Sequence, residues 1–127
     1  MLRSLFIVVV CILLAGCSGD ISTADATGGR LLDYERGKIV LERKLTEEEA
    51  RKASDWLKEH GKNWSKDFVS YAPDVLAYLE HSDGTSSGLY VFDKAVVFVN
   101  RGNQMRKDFA ESETKELMAL LGLGREG

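Results

Sequence analysis

Cysteine vanishes from this chain after residue 17. Cys11 and Cys17 are the only two, so nothing from Ser18 to Gly127 can form a disulfide or offer a nucleophilic thiol. Proline is reduced to Pro73, and histidine to His60 and His81, which are not closely spaced. A zinc site takes about four ligands, or three and a water, so no metal is expected. A basic cluster is missing too: Arg3 is the only charged residue of the first 16, which leaves 16 Lys and Arg against 20 Asp and Glu beyond them. Binding to a phosphate backbone needs concentrated positive charge, and nucleic acid is therefore not an expected partner. The one long apolar run, Leu5–Leu14, falls well short of the ~20 residues that a membrane-spanning helix requires. What remains, at 44% hydrophobic and 29% charged residues, is the composition of an ordinary folded domain, with room for about one.

The opening segment has the layout of a signal peptide: Arg3 as a short positive region, then the uncharged core Leu5–Leu14. The core runs directly into Leu14-Ala15-Gly16-Cys17. This stretch resembles the lipobox of bacterial lipoproteins. The resemblance implies that the Cys17 thiol receives a diacylglycerol as a thioether and that the signal is cut between Gly16 and Cys17. It also implies that the freed amine takes a further fatty acyl group such as palmitate. Residues 1–16, Cys11 included, would then leave with the signal. Several acyl chains give the stable anchoring that one chain does not. A serine such as Ser18 after the lipidated cysteine is similar to lipoproteins sorted to the outer membrane, facing the periplasm, where the host is Gram-negative. The alternative is an uncleaved anchor in which Cys17 is merely interfacial.

Residues 17–30 hold one large apolar residue, Ile21, among Ser, Thr, Gly, Ala and Asp, and read as a lipidated N-terminus and flexible tether. Residues 31–127 read as a small domain, and a soluble chain beginning near Arg30 is expected to fold cooperatively. In it, Gly37–Leu45 alternates as a half-buried strand with Ile39, Leu41 and Leu45 on one side. Thr46 and Glu49 form a capping box for a helix from about Glu47 to His60, with Ala50, Ala53 and Leu57 inward, Trp56 on the flank and Gly61 as left-handed terminator. Residues 62–74 read as an irregular connection. Val75–His81, Gly88–Asp93, Ala95–Asn100 and a shorter Gln104–Phe109 read as strands joined by hairpins. Ser112 is placed to cap a last helix, Glu113–Leu121, ended by Gly122. The expected fold is α+β: an antiparallel sheet of about four to five strands, one helix after the first strand and a short C-terminal helix.

Candidate chemistry is sparse. His60 falls at a helix end and His81 at a strand end, where surface or dipole-complementing roles outweigh catalysis. The Ser82–Gly88 loop lacks the lysine and following helix of a phosphate loop and reads as a hairpin loop. Asn63-Trp64-Ser65 fits a glycosylation pattern, taken as chance in a bacterial protein. No catalytic residue and no cofactor is assigned. Trp64 and Tyr71, aromatic in an irregular segment, are candidate interface anchors, with core packing as the competing role. The expected function is therefore a non-enzymatic, membrane-anchored module of the cell envelope. It would bind another envelope protein, as an inhibitor or immunity protein or as an accessory assembly subunit. Two alternatives stand beside it: an envelope hydrolase using carboxylates among Asp74, Glu80 and Asp83, and a carrier of a small ligand or lipid in an apolar cavity.

Overall fold

The computed structural model describes residues 18–123. Along the chain run β1 (Ser18–Gly19), β2 (Ala26–Glu35), β3 (Lys38–Leu45), α1 (Glu47–Glu59), β4 (Trp64–Lys66), β5 (Val75–His81), β6 (Ser86–Val91), β7 (Ala95–Asn100), β8 (Asn103–Asp108) and α2 (Glu111–Leu120). The architecture is α+β, with an antiparallel sheet larger than the four to five strands expected. Eight strands pair in the order β1-β4-β8-β7-β6-β5-β2-β3, seven of them three residues or longer.

The extra strands come from two places where the sequence pattern is quiet. The stretch expected to be a flexible tether instead enters the fold, with Ala26–Arg30 forming half of β2. Its cohesion is mostly backbone: Ile21 N–H donates to Gly61 O at 2.7 Å, Ser82 N–H to Asp25 O at 2.8 Å, and Ala26 N–H to Ser54 Oγ at 3.0 Å. Ala26 is buried and Ile21 packs against the core. Such bonds need no large apolar side chain, only that buried backbone groups find partners. The other additional strand is β4, three residues inside the connection expected to be irregular. Gly61 is not left-handed. The Ile21 carbonyl occupies the space a Cβ there would need, at 2.8 Å, and Asn63 takes the positive φ instead.

Both helices cover the same face of the sheet. Leu31, Ala77, Leu89 and Phe98 stand in register across β2, β5, β6 and β7 and meet Ala50, Ala53 and Leu57 of α1 and Leu117 and Leu121 of α2. Trp56, expected on the flank, is buried among them, stacked on His60 at 4.2 Å. The opposite face carries Leu32, Leu76, Tyr90, Val97 and Arg106 in register. Among the described residues no helix lies on it. Residues 67–74 cross part of this face, where the Tyr71 ring sits 5.5 Å from that of Phe92 and beneath the Arg106 guanidinium.

One cluster ties the sheet edge to both helices. Arg43 of β3 donates two bonds to the Glu49 carboxylate, at 2.8 and 2.9 Å, and one to Leu121 O at 2.8 Å. Glu49 also closes the expected capping box with Thr46. The pair thus joins the start of α1 to the end of α2. Gly122, with φ of 80°, lets α2 stop there: Gly122 N–H reaches Ala119 O and Leu123 N–H reaches Met118 O, the two bonds of a Schellman ending. α2 begins earlier than expected. Ala110 rather than Ser112 is its cap position, and the Glu113 carboxylate accepts the Ala110 N–H at 3.1 Å.

Candidate interaction surface

Of the two aromatic residues marked as interface candidates, Trp64 belongs to the core. It is fully buried, its indole N–H donates to His60 O at 2.6 Å, and its ring lies 5.8 Å from Phe109. In β4 Trp64 turns inward, while Ser65 and Lys66 are exposed. Tyr71 is half-buried and serves as a rivet for the crossing segment. Its hydroxyl donates to Asp67 and accepts from Arg106 Nη1 at 3.0 Å. That bond from Tyr71, with the Val69 N–H, holds the Asp67 carboxyl below its ordinary value. Cys17 and the rest of the lipobox lie outside the described residues.

The residues with catalytic potential are not brought together around one cavity: Asp83 borders one surface cleft and Asp74 another. Asp74 precedes β5 and Asp83 follows it, so the length of the strand separates them, while exposed Glu80 lies near its end. Asp83 is engaged in its own turn, where bonds from the Thr85 hydroxyl and amide lower its pKa. His81 is buried, not at the surface as expected. Its Nε2 lies 2.7 Å from Ser87 Oγ and its Nδ1 lies 2.8 Å from Ala24 O. An Nδ1–H donated to Ala24 O leaves Nε2 to accept the Ser87 hydroxyl proton, a geometry that general-base chemistry also uses. Yet Ser87 is itself buried, and the bonds clamp the N-terminal segment onto the sheet. Among the described residues no group of three or more His, Cys, Asp or Glu is placed to hold a metal ion.

Exposed apolar side chains fall into separate groups. On β3, Ile39, Val40 and Leu41 are 49, 53 and 38% exposed, contrary to the half-buried strand that alternation implies. The reason is twofold. Asp33 pairs with Leu41 and Tyr34 with Ile39, so Val40 is an unpaired bulge residue and the alternation is lost there. In addition, β5 leaves β2 at the bond from Tyr34 N–H to Asp74 O, so the β2–β3 hairpin projects beyond the rest of the sheet. Its tip, Arg36-Gly37, has positive φ at both residues, as a two-residue type I′ turn requires. Arg36 and Lys38 flank the aliphatic row, and β3 pairs with β2 alone.

A second group, Phe68 and Val69, lies in the segment after β4. Tyr78 is exposed on the open face between the two groups. A surface cleft of about 580 Å³ sits beside the N-terminal segment, with Ile21, Phe98 and Met105 as its apolar lining and Lys66 and Asn100 among its polar residues. The Asn100 Oδ1 is buried without a hydrogen-bond partner among the described residues.

Compared with protein-family models, with curated proteins and with solved structures, the chain matches none. No helix among the described residues is long and apolar enough to cross a membrane. The sequence residues that sequence reasoning missed are those of the hairpin tip. Their one legible signal was the Arg36-Gly37 dipeptide, which repeats the Arg101-Gly102 turn between β7 and β8.

Proposed function

We propose that this chain is an envelope lipoprotein, cut between Gly16 and Cys17 and anchored by acyl chains on Cys17. Its domain acts as a non-enzymatic module that binds another envelope protein through the β2–β3 hairpin. In a Gram-negative host its place is the outer membrane, facing the periplasm. The observation that carries the binding reading is the row Ile39-Val40-Leu41, exposed on an edge strand that projects from the fold. An exposed aliphatic strand is a liability in a monomer, and it is blunted here by a bulge and flanking charge while the apolar row is retained. A partner strand can add to the β3 backbone while its side chains cover the aliphatic row. An inhibitor of an envelope enzyme and an accessory subunit of an envelope assembly both suit this surface.

The test is site-specific photocrosslinking in the native envelope, with the reactive side chain placed at Ile39 or Leu41, and at Lys52 on the solvent side of α1 as control. One dominant protein captured from 39 and 41 but not from 52 is the expected result, and its identity separates inhibitor from subunit. The same species from all three positions, or none from 39 and 41 while another lipoprotein crosslinks efficiently, rejects the hairpin as the docking surface. A second reading, small-ligand carriage, has the unpartnered Asn100 Oδ1 beside an apolar-lined cleft in its favour. Saturable binding of a small ligand, lost in Asn100→Ala, would select it.

A further inference from the structure

The anchor residue and the second apolar group belong to the same corner of the molecule. Ser18, which follows Cys17, pairs with Ser65 in antiparallel register, and Gly19 pairs with Trp64. The described chain therefore begins at the end of the sheet edge toward which β4 runs. There β4 leads through Lys66 and Asp67 into Phe68, which is three residues beyond Ser65, or about 10 Å at strand spacing. Phe68 is 92% exposed and Val69 57%. Their display is fixed by bonds from side chains to the Val69 backbone: Val69 N–H donates to Asp67 Oδ1 at 2.9 Å, and Gln104 Nε2 donates to Val69 O at 2.7 Å. Lys62 and Lys66, both exposed, stand on the same edge, with Asp20, Asp67 and Asp108 as the nearby acids and Lys107 as a further cation.

We infer that Phe68 and Val69 form a second membrane contact, entering the interfacial layer of the bilayer that lipidated Cys17 holds, with Lys62 and Lys66 facing anionic headgroups. The inference rests on the lipoprotein reading above. Phenylalanine flanked by lysine is the side-chain pairing by which peripheral segments settle at the boundary of headgroup and acyl chain. Without a flexible tether between Cys17 and the sheet, the edge β1–β4 stays close to the bilayer. The β3 edge is then held away from it by seven strand spacings, roughly 33 Å. The anchor so placed orients the hairpin toward the periplasmic space.

The experiment uses the full mature protein, purified with its lipid and reconstituted in vesicles of phosphatidylcholine and phosphatidylglycerol carrying brominated acyl chains. Phe68→Trp supplies the probe, because Trp56 and Trp64 are buried and the unsubstituted protein serves as blank. Intact mass is recorded on the same sample. A lipidated mass, with the added emission quenched roughly twofold by the brominated chains and protected from aqueous iodide, is the expected result. A lipidated mass with emission quenched by iodide and not by bromine overturns the second contact and leaves the anchor standing. A mass without lipid overturns both.

Discussion

Replacing Glu49 by glutamine removes the charge from the cluster that joins β3, α1 and α2 while keeping its shape. In the folded chain the bonds from Arg43, followed by those of the capping box, bring the Glu49 carboxyl down from 4.5 to about 2. That difference corresponds to roughly 3.4 kcal/mol for a fully shielded group. The two side chains are 21 and 32% exposed, so solvent screening brings the expected loss at pH 7 to about 2 kcal/mol. The sign follows from linkage: a lowered folded pKa contributes stability that is complete above the unfolded value near 4.5 and is lost as pH falls through about 2. Urea unfolding of the lipid-free chain from Ser18, wild type against Glu49→Gln, should show a gap of about 2 kcal/mol at pH 7, or roughly 8 °C in melting temperature. The gap should close between pH 5 and pH 2. A gap that is the same at pH 2 and pH 7, or none at neutral pH, would refute the reasoning.

Other perturbations separate structural from surface roles. A soluble chain beginning at Arg30 loses β1, the start of β2 and the Ile21 and Ala26 contacts; it should be at least about 3 kcal/mol less stable in urea than one beginning at Ser18, whereas equal stability would mean the N-terminal segment is dispensable. Trp64→Ala should cost about 3 to 5 kcal/mol, measured the same way, as for a buried aromatic; an unchanged melt would return Trp64 to the surface. Gly122→Ala places a Cβ 2.4 Å from Arg43 Nη2 and Glu49 Oε2 at a positive φ, and should cost about 2 kcal/mol. In a double-mutant cycle that cost should shrink when Arg43 is already Ala, and simple additivity would argue against the clash.

Some of the local chemistry was legible from side chains, though Ser112 as a cap and Gly61 as a left-handed stop were not found. The Thr46–Glu49 box, the run of strands from Val75 to Asp108 and the Gly122 stop are each fixed by interactions within a few residues, and the structure has them at those places. The N-terminal strand was not, because its polar, glycine-rich sequence is held by backbone bonds to residues far along the chain. Gly29 illustrates this: a Cβ there would lie 1.9 Å from Tyr78 O, so the glycine permits close strand pairing where composition alone spells flexibility. The candidate surface was hidden for the opposite reason. Alternation at Ile39 and Leu41 is the mark of a buried face, and only the Val40 bulge and the early departure of β5 turn these side chains outward. Likewise nothing local to Trp64 and Phe68, four residues apart, tells which one faces the core.

The proposed lipid on Cys17 would underlie both the location and the orientation of the domain, and the intact mass of the protein extracted from its native membrane tests it most directly. The account predicts a chain that begins at Cys17 and carries a diacylglyceryl group, with Cys17→Ala leaving an uncleaved, unlipidated precursor. A mature wild-type chain that begins elsewhere, or that carries no lipid, would contradict it.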